Sequence, residues 1–188
     1  MITYWFSRED GTTENQIAPV KIGVTNVVGG ELSPCIWGLH SCPTPFDALA
    51  DARGPLLWKM KISPEYVTRG KPVDKYCSRS RRPLAVIDAT RIMRRFSALQ
   101  ALTVIDLWNP PEVVLAYLND ESKGIDRSDI RGDAHFAAIG STWAVVAKDA
   151  AKNVAWDAAR AIARATARAT CAYVARNQFD SLCYAALK

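Results

Sequence analysis

The sequence has only two histidines and five cysteines in 188 residues, and the cysteines form no Cys-x-x-Cys pair. Because a structural zinc site needs four such ligands at close spacing, we expect no metal. The chain also lacks a run of 18 apolar residues, which argues against a membrane-spanning helix. No apolar segment follows Phe6, so we expect no signal peptide. These absences favour a cytoplasmic protein whose thiols are reduced.

The sequence likewise lacks a phosphate-binding glycine loop, a dinucleotide fingerprint and a recognisable catalytic triad. It therefore favours a binding protein without a cofactor over an enzyme. Its net charge is +5 and its pI about 9.0. This mild excess of positive charge permits an acidic protein or a nucleic acid as the partner.

Alternating apolar and polar residues predict a β-rich head over residues 1–88. The clearest strand is 56–62, in which two lysines alternate with apolar side chains. Residues 63–82 are polar and basic, and they predict a long connection. The remaining predicted strands are 2–6, one or two within 17–28, 35–42 and 84–87.

Helices are predicted both inside the head and after it. Thr44 and Pro45 are typical of a helix N-terminus, and the short helix that they begin ends by Gly54. A helical segment, 89–140, follows the head. The predicted fold class is therefore α+β: a small, mostly antiparallel sheet with one inserted short helix, then helices that end in a long one.

The alanine-rich tail, residues 141–188, has neither proline nor glycine and predicts the long helix. Its apolar seam is thin, so another helix can approach closely. The tail then packs within the chain or on a second copy in a homodimer, and composition leaves both open. A secondary candidate binding surface consists of Trp156, Arg160, Arg164 and Arg168. Alternatively, these arginines keep an alanine-rich helix in solution.

The densest positive charge lies between residues 71 and 95. Such a basic segment can follow a phosphate backbone or bind an acidic protein surface. Alternatively, it is a solvated face that pairs with Asp74 and Asp88. The candidate binding residues in it are Lys75, Arg79, Arg81, Arg82, Arg91, Arg94 and Arg95.

His40 lies among apolar residues, two positions before Cys42. One interpretation is a catalytic base or a cofactor contact. The favoured interpretation is a core histidine that hydrogen-bonds the backbone and fixes the turn at Gly38, because no acidic residue stands near it in sequence. His40 and Cys42 share one face of a strand, but a nucleophilic thiol needs a lowered pKa.

The segment Gly38-Leu39-His40-Ser41-Cys42-Pro43, followed by Pro45-Phe46-Asp47-Ala48-Leu49, resembles an uncharacterised family common in bacteriophages and prophages. Val73-Asp74-Lys75 and Ala155-Trp156-Asp157 are similar to later parts of that family. The resemblance implies a phage accessory protein that binds a host protein or a protein–nucleic-acid complex. Inhibition of a host defence system, as by anti-CRISPR proteins, is one such role.

The same segment is also similar to the middle block of the ADP-ribosyltransferase fold, in which a strand and a helix line a nicotinamide pocket. This resemblance implies an alternative, an enzyme that uses NAD in a pocket built by Tyr4, His40, Ser41 and Leu49. The first strand lacks the histidine or arginine of that fold. A third hypothesis is a self-associating structural protein.

Overall fold

The computed structural model describes residues 1–12, 19–102, 112–119 and 172–188. The chain divides into two compact units: Met1–Ala89 with Phe179–Lys188, and Thr90–Gln178. The last ten residues, which the sequence assigns to the tail, thus belong to the same unit as the head. In the described ranges the elements are β1 (Ile2–Ser7), β2 (Asn26–Val27), β3 (Leu39–Ser41), α1 (Pro45–Leu49), β4 (Leu56–Ile62), β5 (Tyr66–Arg69), β6 (Lys75–Ser78), β7 (Ser80–Asp88), α2 (Thr90–Leu102), α3 (Glu112–Asn119) and α4 (Ala172–Ala186).

The strands of the head form two antiparallel sheets, with the orders β1-β4-β7-β2 and β3-β6-β5. The predicted α+β class is confirmed, with α1 inserted between β3 and β4 and a helix at the C-terminus. Tyr4 of β1 and Cys42 after β3 exchange two backbone hydrogen bonds of 2.9 and 2.8 Å. This bridge joins the edges of the two sheets.

The strand predicted over 56–62 is β4, and it lies between β1 and β7. Its central position explains why Leu57 and Met60 are both fully buried although the register shifts between Lys59 and Met60. The extra residue of this β-bulge is Leu84 of β7, because Lys59 pairs with Ala85 and Met60 with Pro83, so β4 keeps its alternation and Leu57 and Met60 lie on opposite faces. The core of the larger sheet therefore draws on both faces of β4.

The prediction of a long connection over 63–82 was wrong, because these residues form β5, β6 and the start of β7. Their charges are paired across the structure: Arg69 with Asp74, and Arg79 with Glu65. A strand whose polar side chains pair with one another needs no apolar alternation. The strand predicted over 35–42 is also shorter, since only Leu39–Ser41 is extended and a turn precedes it. Of the segment 17–28, only β2 is a strand, and 13–18 lie outside the described residues.

Helix α1 begins as its sequence predicts. Thr44 is the N-cap and Pro45 the first helical residue, and Thr44 Oγ1 accepts a hydrogen bond of 3.2 Å from the backbone N–H of Asp47. The N–H of Phe46 donates to Oδ1 of the buried Asp180 at 2.8 Å. The rings of Phe46 and Phe179 also meet edge to face, 6.2 Å apart. The middle of α4 therefore holds the N-terminus of α1.

The second unit contains α2 and α3, which contact each other. In α2 the face bearing Met93, Phe96 and Ala101 is buried. Both elements lie in the segment 89–140, for which the sequence predicts helices. The rest of the segment 89–140, and the tail as far as residue 171, lie outside the described residues. Within the described part of the chain, no helix has the length and apolar character needed to cross a membrane.

Candidate functional site

The head contains a pocket of about 690 Å³ to which both sheets contribute. Trp5 of β1 and Trp37 of the turn before β3 supply aromatic surface to it. Pockets for small organic ligands commonly have volumes of roughly 300–1,000 Å³. The volume therefore suits a ligand the size of a nucleotide.

The lining of this pocket is strongly cationic. Asp51 is the carboxylate among its lining residues. The cationic residues of the lining are Arg53, Arg69, Lys75 and Arg81. Low-dielectric walls that carry charge of one sign raise the local concentration of ligands of the opposite sign. The pocket is thus suited to an anion.

Lys75 and Arg69 lie directly opposite each other on β6 and β5. Side chains opposite each other in an antiparallel pair point to the same face, with Cβ atoms about 5 Å apart. Two like charges in this position repel, and each has a carboxylate partner here. Lys75 Nζ pairs with Asp51, and Arg69 donates through Nε and Nη2 to the two oxygens of Asp74 at 3.2 and 2.9 Å. This pairing raises the pKa of Arg69.

Arg81 of β7 is the most deeply buried cation of the lining, with 3% of its surface exposed. Its guanidinium carbon lies 4.0 Å from the centroid of a Trp5 ring, and Nη1 donates to the backbone oxygen of His40 at 2.9 Å. Burial lowers the pKa of Arg81 to about 9, so it stays cationic at neutral pH. Arg81 thereby positions Trp5 and β3 and supplies positive charge to the pocket.

His40 is half-buried at the edge of the pocket. Its Nε2 accepts a hydrogen bond of 2.9 Å from the backbone N–H of Cys35. Burial, and then the charges of Lys75 and Arg81, lower the pKa of His40. The ring is therefore neutral at pH 7 with its proton on Nδ1. This geometry agrees with the favoured interpretation, a histidine that hydrogen-bonds the backbone and organises a turn.

The turn that carries Trp37 depends on Gly38, whose φ is +131°. A Cβ added at Gly38 would lie 2.2 Å from Sγ of Cys77. That thiol instead donates to the Trp37 carbonyl at 3.0 Å, and Trp37 Nε1 donates to the Gly29 carbonyl at 2.6 Å. Only glycine combines this backbone conformation with such a close approach. The residue thus fixes one wall of the pocket.

The pocket thiols differ in environment. Cys42 is buried, and burial raises its pKa, which disfavours the thiolate that a nucleophile requires. Cys35 is exposed, and its Sγ accepts a hydrogen bond of 3.0 Å from Arg69 Nη1. Cys35 also has a positive φ of 66°, unusual for a residue with a side chain. The pairing of His40 and Cys42 as base and nucleophile is therefore not favoured by this geometry.

The seven basic candidates fall into different places. Lys75 and Arg81 line the pocket, whereas Arg79 pairs with Glu65 at 2.9 Å and donates to the carbonyls of Val28 and Gly30. Arg82 is exposed on β7. The other three, Arg91, Arg94 and Arg95, lie on α2 in the second unit. The secondary surface, Trp156, Arg160, Arg164 and Arg168, lies outside the described residues.

Of the four residues implied by the ADP-ribosyltransferase resemblance, His40 and Ser41 line the pocket. Tyr4 is buried instead beside Tyr184, with ring centroids 5.5 Å apart, and Leu49 is fully buried in the core. Their neighbours Trp5 and Ala48 line the pocket. Since adjacent residues of a strand point to opposite faces, the implied residue on β1 is displaced by one position.

Several lining residues carry no signal in the sequence. Arg69 lies inside the predicted connection 63–82, and Asp51 and Arg53 lie at the predicted end of the short helix before Gly54. Their convergence depends on the pairing of β5 with β6 and on the position of the turn after α1. In the described ranges, no three histidine, cysteine, aspartate or glutamate side chains converge as a metal site would require. Comparison of the chain with protein-family models, curated proteins and solved structures finds no match.

Proposed function

We propose that this protein binds a small anionic ligand that contains a planar ring, of the nucleotide class, in the pocket of its head. The observation that carries the proposal is the pocket's lining of four cationic side chains, one carboxylate and two tryptophans. Arginine and lysine bind phosphate groups through charge-assisted hydrogen bonds. Tryptophan rings bind bases by stacking, largely independent of base identity.

The test is calorimetric titration of the full-length chain with NAD, AMP and uncharged adenosine. We expect AMP and NAD to bind more tightly than adenosine. Lys75→Gln should weaken AMP binding roughly tenfold or more, because one hydrogen bond to a charged group is lost. Arg82→Gln is the matched control: it removes one positive charge from the exposed part of β7, outside the pocket lining.

Equal affinity for AMP and adenosine, or equal losses in the two variants, would show that the pocket does not recognise the anion. Absence of binding by all three compounds at millimolar concentration would contradict the proposal as a whole. The NAD titration also addresses the alternative of an NAD-using enzyme. Release of free nicotinamide during the titration would favour that alternative over simple binding.

A second candidate function is the one implied by the phage resemblance, an accessory protein that blocks a host macromolecule. One observation favours it: Ile36 and Trp37, at the mouth of the pocket, are 77% and 53% exposed. Large apolar side chains exposed together are typical of protein interaction sites. Ile22→Asp is the matched control, because it places the same charge at an exposed isoleucine outside the pocket lining. A protein captured by the wild type from host lysate, retained by Ile22→Asp and lost with Ile36→Asp, would support this proposal; equal capture by all three would contradict it.

A further inference from the structure

The ion pair inside the pocket joins two residues of unequal burial. The side chain of Lys75 is 11% exposed, whereas that of its partner Asp51 is 57% exposed. A lysine is rarely buried to this extent without a counter-ion. Asp51 therefore supplies the charge that Lys75 requires, although Asp51 itself loses little hydration.

The two partners also differ in how firmly the backbone holds them. Lys75 begins β6, the central strand of its sheet, with strands on both sides. Asp51 lies in the turn after α1, where its N–H donates to the Ala48 carbonyl at 3.3 Å. The backbone of Lys75 is thus fixed, and Asp51 can rotate into solvent once another anion takes its place beside the Lys75 ammonium.

The neighbouring pair, Arg69 with Asp74, is built differently. Both oxygens of Asp74 accept from Arg69, and the N–H of Asp74 donates to the Arg69 carbonyl at 3.0 Å within the same hairpin. Two parallel hydrogen bonds and a local backbone bond hold this carboxylate in place. Of the two carboxylates that neutralise the cations, Asp51 is accordingly the one that a ligand can replace.

We propose that Asp51 acts as an internal anion that occupies the Lys75 ammonium in the free protein, and that a phosphate group of the ligand displaces it. The inference rests on the proposed function and adds which side chain competes with the ligand. A phosphate dianion in this position lies between Lys75 and the opposing Arg69, and it carries more charge than the carboxylate that it replaces. The affinity of the pocket for its ligand therefore depends on the replacement of the Asp51 carboxylate by the phosphate group beside Lys75.

The proposal predicts that removal of the Asp51 charge raises the affinity of the pocket for phosphate groups. Asp51→Asn should bind AMP and inorganic phosphate roughly fivefold more tightly than the wild type, because the ligand no longer competes with an ion pair. Glu65→Gln is the matched control. It removes a similarly exposed carboxylate from an ion pair with Arg79. Glu65 directly precedes β5 and Arg79 directly follows β6, and neither residue lines the pocket. Its affinities should stay within a factor of two of the wild type.

The measurement is calorimetric titration of the full-length wild type, Asp51→Asn, Glu65→Gln and Asp51→Ser with phosphate, AMP and adenosine. Asp51→Ser is a second way to remove the charge if the asparagine variant folds poorly by circular dichroism. Tighter binding of both phosphate and AMP by the Asp51 variants alone supports the proposal. If the Asp51 variants bind AMP more tightly but inorganic phosphate no more tightly than the wild type, the phosphate group displaces Asp51 only when it belongs to a nucleotide. This result overturns the proposal for free phosphate and supports it for the nucleotide.

Three results overturn the proposal while leaving the proposed function intact. The first is that the Asp51 variants bind AMP no more tightly than Glu65→Gln does. The second is that they bind AMP more weakly than the wild type. The third is that their affinity for adenosine rises as much as their affinity for AMP. If the wild type and every variant fail to bind any of the compounds, the proposed function is contradicted and this inference with it. Binding by the Asp51 variants when the wild type binds too weakly to measure supports both.

Discussion

His40 shows how one neutral side chain organises a wall of the pocket. Its Nε2 accepts from the N–H of Cys35, a residue with positive φ, and Arg81 donates to its carbonyl. The side chain and the backbone of His40 therefore both hold neighbouring segments. The protonated ring has no acceptor at Nε2, so protonation removes the bond to Cys35.

We expect the free energy of unfolding to depend on the protonation of His40. The folded state lowers its pKa below the ordinary 6.5, so the unfolded chain binds more protons between these two values. The stabilisation is fully present above about pH 6.5 and is lost as the pH falls below it towards the folded-state value. Relative to His40→Gln, which keeps an acceptor but does not titrate, the wild type should lose about 1 kcal/mol, the ordinary contribution of one hydrogen bond.

The measurement is urea unfolding of both proteins at about pH 7.5 and about pH 5. The other ionisable groups are the same in both proteins, so their effect cancels in the difference. A difference in free energy that is the same at both pH values would contradict the assignment of His40 as a neutral acceptor in the folded state.

Single positions also show what the sequence can and cannot predict. The glycine at position 38 and the histidine at position 40 stand out by residue type, and both lie at the pocket. The choice of Tyr4 over Trp5 fails because an aromatic run in a strand does not reveal which face points to a site. The three-dimensional contacts settle that choice, because Trp5 lies against Arg81 of the pocket lining whereas Tyr4 packs beside Tyr184.

At the scale of elements, the hairpin of β5 and β6 is the part that the sequence conceals. Residues 63–82 contain few apolar side chains, so their pattern predicts a connection. The structure instead pairs Arg69 with Asp74 and Arg79 with Glu65, which lets polar strands form a sheet edge. The pocket cations Arg69 and Lys75 become neighbours only through this hairpin, so the site could not be assembled from sequence.

The short helix α1 illustrates the opposite case. Its start is predictable because Thr44 and Pro45 act locally. The dependence of α1 on Asp180 is not predictable. The Asp180 carboxylate accepts a hydrogen bond from the N–H of Phe46, and 134 residues separate the two in sequence. A five-residue helix is too short to be stable alone. The place of α1 in the head, and of the Asp51 turn that follows it, therefore depends on packing against the rest of the head.

At the scale of the whole molecule, the C-terminal residues belong to the core of the head. Phe179 and Cys183 are fully buried and Leu187 is 6% exposed, all in the unit that contains the pocket. A prediction that divides the chain in sequence order assigns them to a separate tail, since nothing local in them indicates a distant partner. The first unit is thus discontinuous in sequence and is completed only when the end of the chain joins it.

A chain that ends at Gln178 should therefore lose the stability of the head, although every residue of the pocket lining is retained. Removal of a buried phenylalanine alone costs about 3–5 kcal/mol, which is comparable with the whole stability of many domains. Three of the six tryptophans, Trp5, Trp37 and Trp58, lie in the head, and we expect their contribution to the urea transition in tryptophan fluorescence to lose its cooperativity. A chain ending at Leu187, which lacks only the exposed Lys188, is the control and should unfold like the wild type.

A cooperative transition with an unchanged midpoint in the chain ending at Gln178 would show that the head folds without its last ten residues. The same reasoning decides how self-association through the tail can be tested. A chain ending at Gly140 removes the buried Phe179 and Cys183 together with the tail, so a change in its mass by light scattering would confuse unfolding with dissociation. Substitution of Arg160, Arg164 and Arg168 by glutamine in the full-length chain removes their charges and keeps those core residues. If the wild type is a dimer by light scattering and the variant keeps that mass, the homodimer does not need these three charges.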